Sequence, residues 1–324
     1  MRLVLLALAM VACGPAAAGP VCPTTSPPPV ATCASATAPP PATTSAPVAT
    51  TAPRPAPPPT PPALEQALAA AEQAIAKNDM IAADKALATA ATAAAGDPHL
   101  DFLVARARAT RFAQVGDFER AASAIVALIP ALAKHPETHD EFWAHNAMMM
   151  IREAQGDPAA ALAEDDQATL AAARGTWDPE TRAKLAFQKD RWHRAYLTRM
   201  LAESRTGSVK RALVAYAEAA LDDYRTAGFP DSIAILEAYF AALDGKRDAA
   251  IAAAKRVDPA KDDDIEDLYL VVVGLAAGGD AQDAEAVRKV MRAPGPPRLS
   301  RAIMLRWLDL DAKGRGFTPW HAAH

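Results

Sequence analysis

From Ala63 to Pro297 apolar positions recur with a period near 3.6 residues, and the intervening positions are filled by strong helix formers, chiefly Ala, Leu, Glu, Lys and Arg. Alternating β-branched runs, the mark of half-buried strands, do not interrupt this pattern. The breaks fall at Asn78-Asp79, Gly116-Asp117, Gly156-Asp157, Gly207-Ser208, Gly245-Lys246 and Gly279-Asp280, at intervals of 38, 40, 51, 38 and 34 residues. Five residues past the first member of each break stands an alanine: Ala83, Ala121, Ala161, Ala212, Ala250 and Ala284. A glycine or asparagine at a helix end can take left-handed φ, and an alanine where two helices cross lets their backbones approach. A repeat of this length predicts stacked helix–turn–helix units, so the pattern gives an all-α fold of about six helical hairpins. The 51-residue interval requires an insertion, placed between Arg174 and Lys189. In the first hairpin the second helix offers mostly methyl groups (Ala82, Ala83, Ala86, Ala88, Ala90, Ala91), which predicts the least stable unit.

Pro294 to Pro297 closes the periodic region. Ser300 to Ala312 then reads as an amphipathic helix with Ile303, Leu305, Leu308 and Leu310 needing cover and Trp307 beside them, expected to cap the last pair. The tail from Gly314 to His324 is expected to be loose, with Phe317 or Trp320 tucked back.

Two stretches carry a family resemblance. In residues 102–136, Ala109 and Phe112 occupy the small and aromatic positions of a first helix, and Gly116-Asp117-Phe118-Glu119-Arg120-Ala121 forms the turn and opens the second. In residues 245–259, Gly245 and Ala250-Ile251 repeat the motif and Asp258-Pro259 closes it. These residues resemble the tetratricopeptide repeat, two antiparallel helices in a unit of 34 residues. The resemblance implies an α-solenoid over residues 63–297, about six degenerate repeats, with 298–324 as cap helix and tail. It also implies a groove lined mainly by each unit's first helix. Aligned on the turn glycines, Arg106, Trp143, Asn146, Met150, Arg194 and Tyr239 fall on that groove as partner contacts. The carboxylate clamp of two lysines and two asparagines found in some members has no counterpart here.

The first 62 residues are a different material. Seventeen of the 28 prolines lie there, with Arg2 and Arg54 as the only charges. Met1-Arg2 followed by the apolar run Leu3 to Val11 has the form of a secretory signal, read as residues 1–12. Met10-Val11-Ala12-Cys13 resembles a bacterial lipobox, with Met10 where leucine is usual. That resemblance makes Cys13 the lipidated first residue of the mature chain, held on the membrane by its acyl chains. Gly14 in place of the aspartate that retains some lipoproteins at the inner membrane favours the outer membrane. Cleavage after Ala18, discarding Cys13, is the alternative. The Pro/Ala/Thr/Ser stretch that follows, to residue 62, lacks the apolar surface to offset ordering entropy and is read as an extended spacer of up to ~150 Å. Cys22 and Cys33 lie within it, paired or single.

Beyond residue 62 the chain carries 32 basic and 38 acidic residues, an acidic surplus that gives no footprint for nucleic acid. All three cysteines lie in the leader, so no disulfide framework is expected in the helical part. The longest apolar run there, Leu268 to Ala277, is about half of the ~20 residues needed to span a bilayer. Hydrolase elbows, zinc-protease helices, phosphate loops and dinucleotide glycine patterns are missing, and no cofactor is expected. Three clusters draw notice. His135, His139, Asp140, Glu141 and His145 include a four-residue histidine spacing suited to zinc, but Pro136 breaks the helix, so a solvated loop leading into a helix N-terminus is expected. The acidic run from Lys261 to Asp267 lacks the turn glycine of a calcium loop and reads as another helix start. Lys184 to Arg199 interleaves Lys184, Lys189, Arg191, Arg194 and Arg199 with Phe187, Trp192 and Tyr196, expected to be a helix with an aromatic core face and a solvated basic face. Met148 to Met150 is expected to fill the core.

The expectation for function is therefore a non-catalytic interaction scaffold of the cell envelope, lipid-anchored, with a protein or peptide partner in its groove. An enzyme or accessory acting on cell-wall glycan and a purely structural spacer are the alternatives.

Overall fold

In the computed structural model all six turn residues named from the sequence have positive φ, from 58° at Asn78 to 93° at Gly279. That conformation is open to glycine and tolerated by asparagine, and it reverses the chain where each helix ends. The structure describes residues 59–187, 192–226, 230–261 and 264–311. The expectations for the signal segment, Cys13, Cys22, Cys33, nearly all of the spacer, Lys189, Arg191 and the tail from residue 312 lie outside these residues.

Among the described residues the chain is all-α. Six helix pairs follow one another: α1 (Pro62–Ala76) with α2 (Met80–Ala94), α3 (Pro98–Gln114) with α4 (Phe118–Val126), α6 (Asp140–Ala154) with α7 (Pro158–Arg174), α9 (Arg194–Glu203) with α10 (Gly207–Thr226), α11 (Pro230–Leu243) with α12 (Arg247–Ala254), and α13 (Ile265–Gly278) with α14 (Ala281–Arg292). A short helix α5 (Ile129–Leu132) and a 3-10 turn (Pro136–Thr138) link the second pair to the third. The expected insertion is α8 (Pro179–Phe187), between α7 and α9. Aspartates start the helices: the side chains of Asp79, Asp117, Asp157 and Asp280 accept from backbone N–H groups three residues on, at 3.0–3.2 Å. Such caps satisfy donors that helices leave unpaired at their N-termini.

Each pair packs on the next through α2–α3, α4–α6, α7–α9, α10–α11 and α12–α13. Five of the six alanines chosen from the pattern (Ala83, Ala121, Ala161, Ala250, Ala284) are fully buried. Ala212 is the exception and is exposed. Its helix begins at Gly207 itself, two residues earlier relative to the turn than the others, which rotates Ala212 outward and turns Ala217, Ala220, Leu221 and Tyr224 inward. Gly274 of α13 lies against α11, where a Cβ would stand 2.9 Å from that of Ala238.

The last described helix, α15 (Leu299–Asp311), does not simply cover the end of the sixth pair. It packs on α13 and α14, and also on α3 and α6 of the second and third pairs. Ile303, Met304, Trp307 and Leu308 are buried, and Trp307 meets Tyr269 with ring centroids 5.3 Å apart. The reason is apolar demand: α15 buries two sides, and one helix pair cannot cover both. Among the described residues no helix is long and apolar enough to cross a membrane.

Candidate functional site

The residues that α1, α3 and α6 leave on one side follow helical spacing. Leu68, Glu72 and Ile75 share a face of α1; Leu103, Arg106 and Thr110 a face of α3; Trp143, Asn146 and Met150 a face of α6. Together with Pro296 to Ser300, which leads into α15, they enclose a cavity of about 410 Å3. Four of the six contacts named from the sequence, Arg106, Trp143, Asn146 and Met150, therefore meet at one place.

Trp143 is the exposed apolar residue of this wall, with 41% of its surface open. It is held edge-on against Phe142 (centroids 4.9 Å apart) and Trp177 (6.5 Å), while His139 stacks on Trp177 at 3.6 Å. Asn146 reaches along α6 toward the Met150 sulfur, and Met150 is buried. Arg106 lies 5.8 Å from the Phe102 ring centroid. Its side chain remains open to solvent, yet the protein around it displaces enough water to lower its pKa; the nearby Asp140 charge opposes this and Arg298 adds to it.

The other two named contacts are elsewhere. Arg194 pairs with Asp166 of α7 on a different surface. Tyr239 is a correction: it is 1% exposed, packed 5.3 Å from Tyr196 in the core, so it cannot meet a partner. Of the helix face expected at Lys184–Arg199, the aromatic core side is present and Lys184 is exposed, and the correction falls on Arg199. Arg199 is buried, bonding Glu203 of its own helix and Asp244 at 2.6 Å, while Trp192 and Tyr196 are core. Met148, Met149 and Met150 are buried.

In the histidine cluster His135 stays in an exposed turn, 3.1 Å from Glu137, and the carboxylates expected at a helix N-terminus are there but are not solvated. Asp140 and Glu141 open α6 but are buried, Asp140 2.6 Å from the His99 Nδ1 atom and Glu141 bonded by Arg174 at 2.7 Å. His145 faces Glu164 at 2.7 Å. Asp140, Glu141 and His145 are thus each held by a helix other than their own. In the acidic run, Asp264 caps α13, accepting from the Glu266 N–H at 2.9 Å.

One buried group was illegible from spacing. The Tyr196 hydroxyl donates to Glu153 Oε1, and burial pushes the Glu153 carboxyl up to about 8. Glu153 Oε2 and the Tyr239 hydroxyl are buried nearby without a hydrogen bond among the described residues. A larger hollow, about 590 Å3, lies between α10, α11 and α12. Its carboxylates carry cations: Glu237 holds Arg225 at 2.8 Å and also Arg256, and Asp244 holds Lys246 at 2.9 Å. The cations hold Asp244 below the usual carboxylate range. No protein-family model matches the chain, and no curated protein or solved structure matches it.

Proposed function

We propose that this protein is a tetratricopeptide-like solenoid that binds a protein or peptide in its groove, carried on a lipid anchor at Cys13 and a proline-rich spacer in a bacterial envelope. The observation that carries this reading is the convergence of Arg106, Trp143, Asn146 and Met150, drawn from two successive first helices, on one cavity. Such a wall, with an exposed indole beside an arginine, has the residue types that dominate binding energy at interfaces. The positive φ at the six turns and the buried alanines at the crossings support the repeat reading. The signal-like leader and the Met10–Cys13 motif support the anchor, with the outer membrane favoured by Gly14.

Two measurements test it. Photo-crosslinking in intact envelopes from a probe amino acid at position 143 is expected to trap one partner, whereas a probe at Ile81, 85% exposed on α2, traps none. Equal, diffuse labelling from both positions defeats the groove reading. Cys13→Ser is expected to release the protein from the membrane fraction with unchanged helicity; retention on the membrane removes the anchor.

A further inference from the structure

We infer that residues 55–58 of this chain's own spacer, Pro55-Ala56-Pro57-Pro58, occupy the cavity between α1, α3, α6 and residues 296–300, where a partner must displace them. The inference rests on the interaction-module reading and adds the regulation of that site.

The charge of the cavity comes first. Arg106 and Arg298 line it, but Glu72 lines it too, and Asp140 stands close enough to act on Arg106. Two cations thus face two carboxylates, and an occupant meets no net charge. The apolar wall consists of Leu68, Leu103, Trp143 and Met150. Of the polar lining, Arg106, Arg298 and the Trp143 indole can only donate hydrogen bonds, and Glu72 is the one carboxylate set against them.

An uncharged, proline-rich strand complements such a wall. Each proline keeps its carbonyl acceptor but has no N–H donor, and the polyproline conformation leaves its carbonyls without internal partners. Its rings pack on exposed aromatic faces, the mode in which aromatic-lined grooves recognise polyproline segments. Pro296 and Pro297 already border this cavity.

The chain supplies such a strand beside the site. Residues 55–61 read Pro-Ala-Pro-Pro-Pro-Thr-Pro, without a charge, and run directly into α1, whose Leu68, Glu72 and Ile75 line the cavity. Thr60 and Pro61 are half-buried, and Pro61 has φ −58° and ψ 136°, close to polyproline values. Leu68 lies ~9 Å along the helix axis from Pro62, and the residues from 55 to 61 span ~20 Å when extended, so one reversal brings the strand to the cavity. A segment tethered this closely has an effective concentration in the millimolar range, so a weak site is enough to hold it. The other terminal segment matches less well: residues 312–324 carry Lys313 and Arg315 and no acidic residue, which would crowd Arg106 and Arg298.

The test uses the full-length chain in detergent with a diazirine amino acid at position 103. Irradiation is expected to give an intrachain cross-link from that position to residues 55–58, located by mass spectrometry after digestion. The triple variant Pro55→Gly/Pro57→Gly/Pro58→Gly keeps the length and charge of the spacer and should lose this product. An added peptide of residues 55–61 should bind the triple variant at least about tenfold more tightly than the wild type, because the site is no longer filled from within. That binding should weaken when Trp143→Ala is added and change little in high salt. A cross-link to residues 312–324 in place of 55–58 makes the tail the occupant, and cross-links between isotopically light and heavy copies make it a second molecule; either overturns the inference. No cross-link to the spacer, or one that persists in the triple variant, overturns it as well. So does a peptide that binds both chains equally or neither, that ignores Trp143→Ala, or that is released by salt. None of these results touches the interaction-module reading, which stands or falls on the envelope cross-linking from position 143.

Discussion

Glu153 shows how far burial moves an ordinary group. On α6, buried and with Tyr196 donating to one oxygen, the carboxyl is held neutral through most of the physiological range, its pKa about 8 against an ordinary 4.5. The folded state therefore binds a proton that the unfolded state has released between those values. The contribution to stability is fully present below about pH 4.5, declines as pH rises toward 8, and is flat beyond, with a slope of at most about 1.4 kcal/mol per pH unit. Glu153→Gln keeps an acceptor for Tyr196 and removes the titration, so urea unfolding of the variant should gain on the wild type as pH rises from 5 to 8. Parallel pH profiles would show that the carboxyl titrates normally. Ala121 makes the opposite point, that a residue with no chemistry can decide packing. It is fully buried with Phe102, Ile125 and Leu132, and Ala121→Trp should cost on the order of 1–3 kcal/mol or more. An unchanged melting temperature would place that alanine away from the crossing. Tyr239 marks the limit of sequence reading at this scale. Its helix carries Ala234, Ile235, Leu236, Ala238, Tyr239 and Phe240, apolar on nearly every side, so no period distinguishes a groove aromatic from a core one.

At the scale of elements, turn chemistry carried more information than hydrophobic periodicity. The six breaks and five of the six crossing alanines were readable because left-handed φ and close backbone approach each demand a particular residue type. The phase of α10 was not, because its helix starts at Gly207 and the shift of two residues leaves no compositional trace. Nor were the partners of Asp140, Glu141 and His145 readable, since each sits on another helix. The first pair illustrates what alanine-rich burial implies. Of its buried apolar side chains, Ala67, Ala71, Ala74, Ala83, Ala90 and Ala94 are alanines, against Leu64, Ile75 and Leu87 as the larger members. With so little area removed from water, α1 and α2 should open before the rest. Amide hydrogen exchange should be fastest in residues 62–94; protection there equal to that of α11 and α13 would contradict it.

For the whole helical body, α15 changes the expected mechanics. An array of helix pairs in contact only with their neighbours unfolds as a sum of local terms. Here one helix touches the second, third and sixth pairs, so loosening it should loosen all three. Trp307→Ala removes its largest buried side chain and should cost about 3–5 kcal/mol. Calorimetry should also broaden, as pairs two and three uncouple from pair six; a sharp, merely shifted transition would show that α15 does not couple them. The sequence placed Trp307 beside the residues needing cover and expected that cover from the last pair, not from the second and third, because long-range pairing has no local signature. There is also a temporal side to this placement. Each helix pair can form as soon as its own residues have been made, but the surfaces of α3 and α6 that await α15 must stay bare until residue 311 has been made as well. The slowest folding step among the described helices should then be the docking of α15, and in that interval a chaperone has its clearest opportunity to engage.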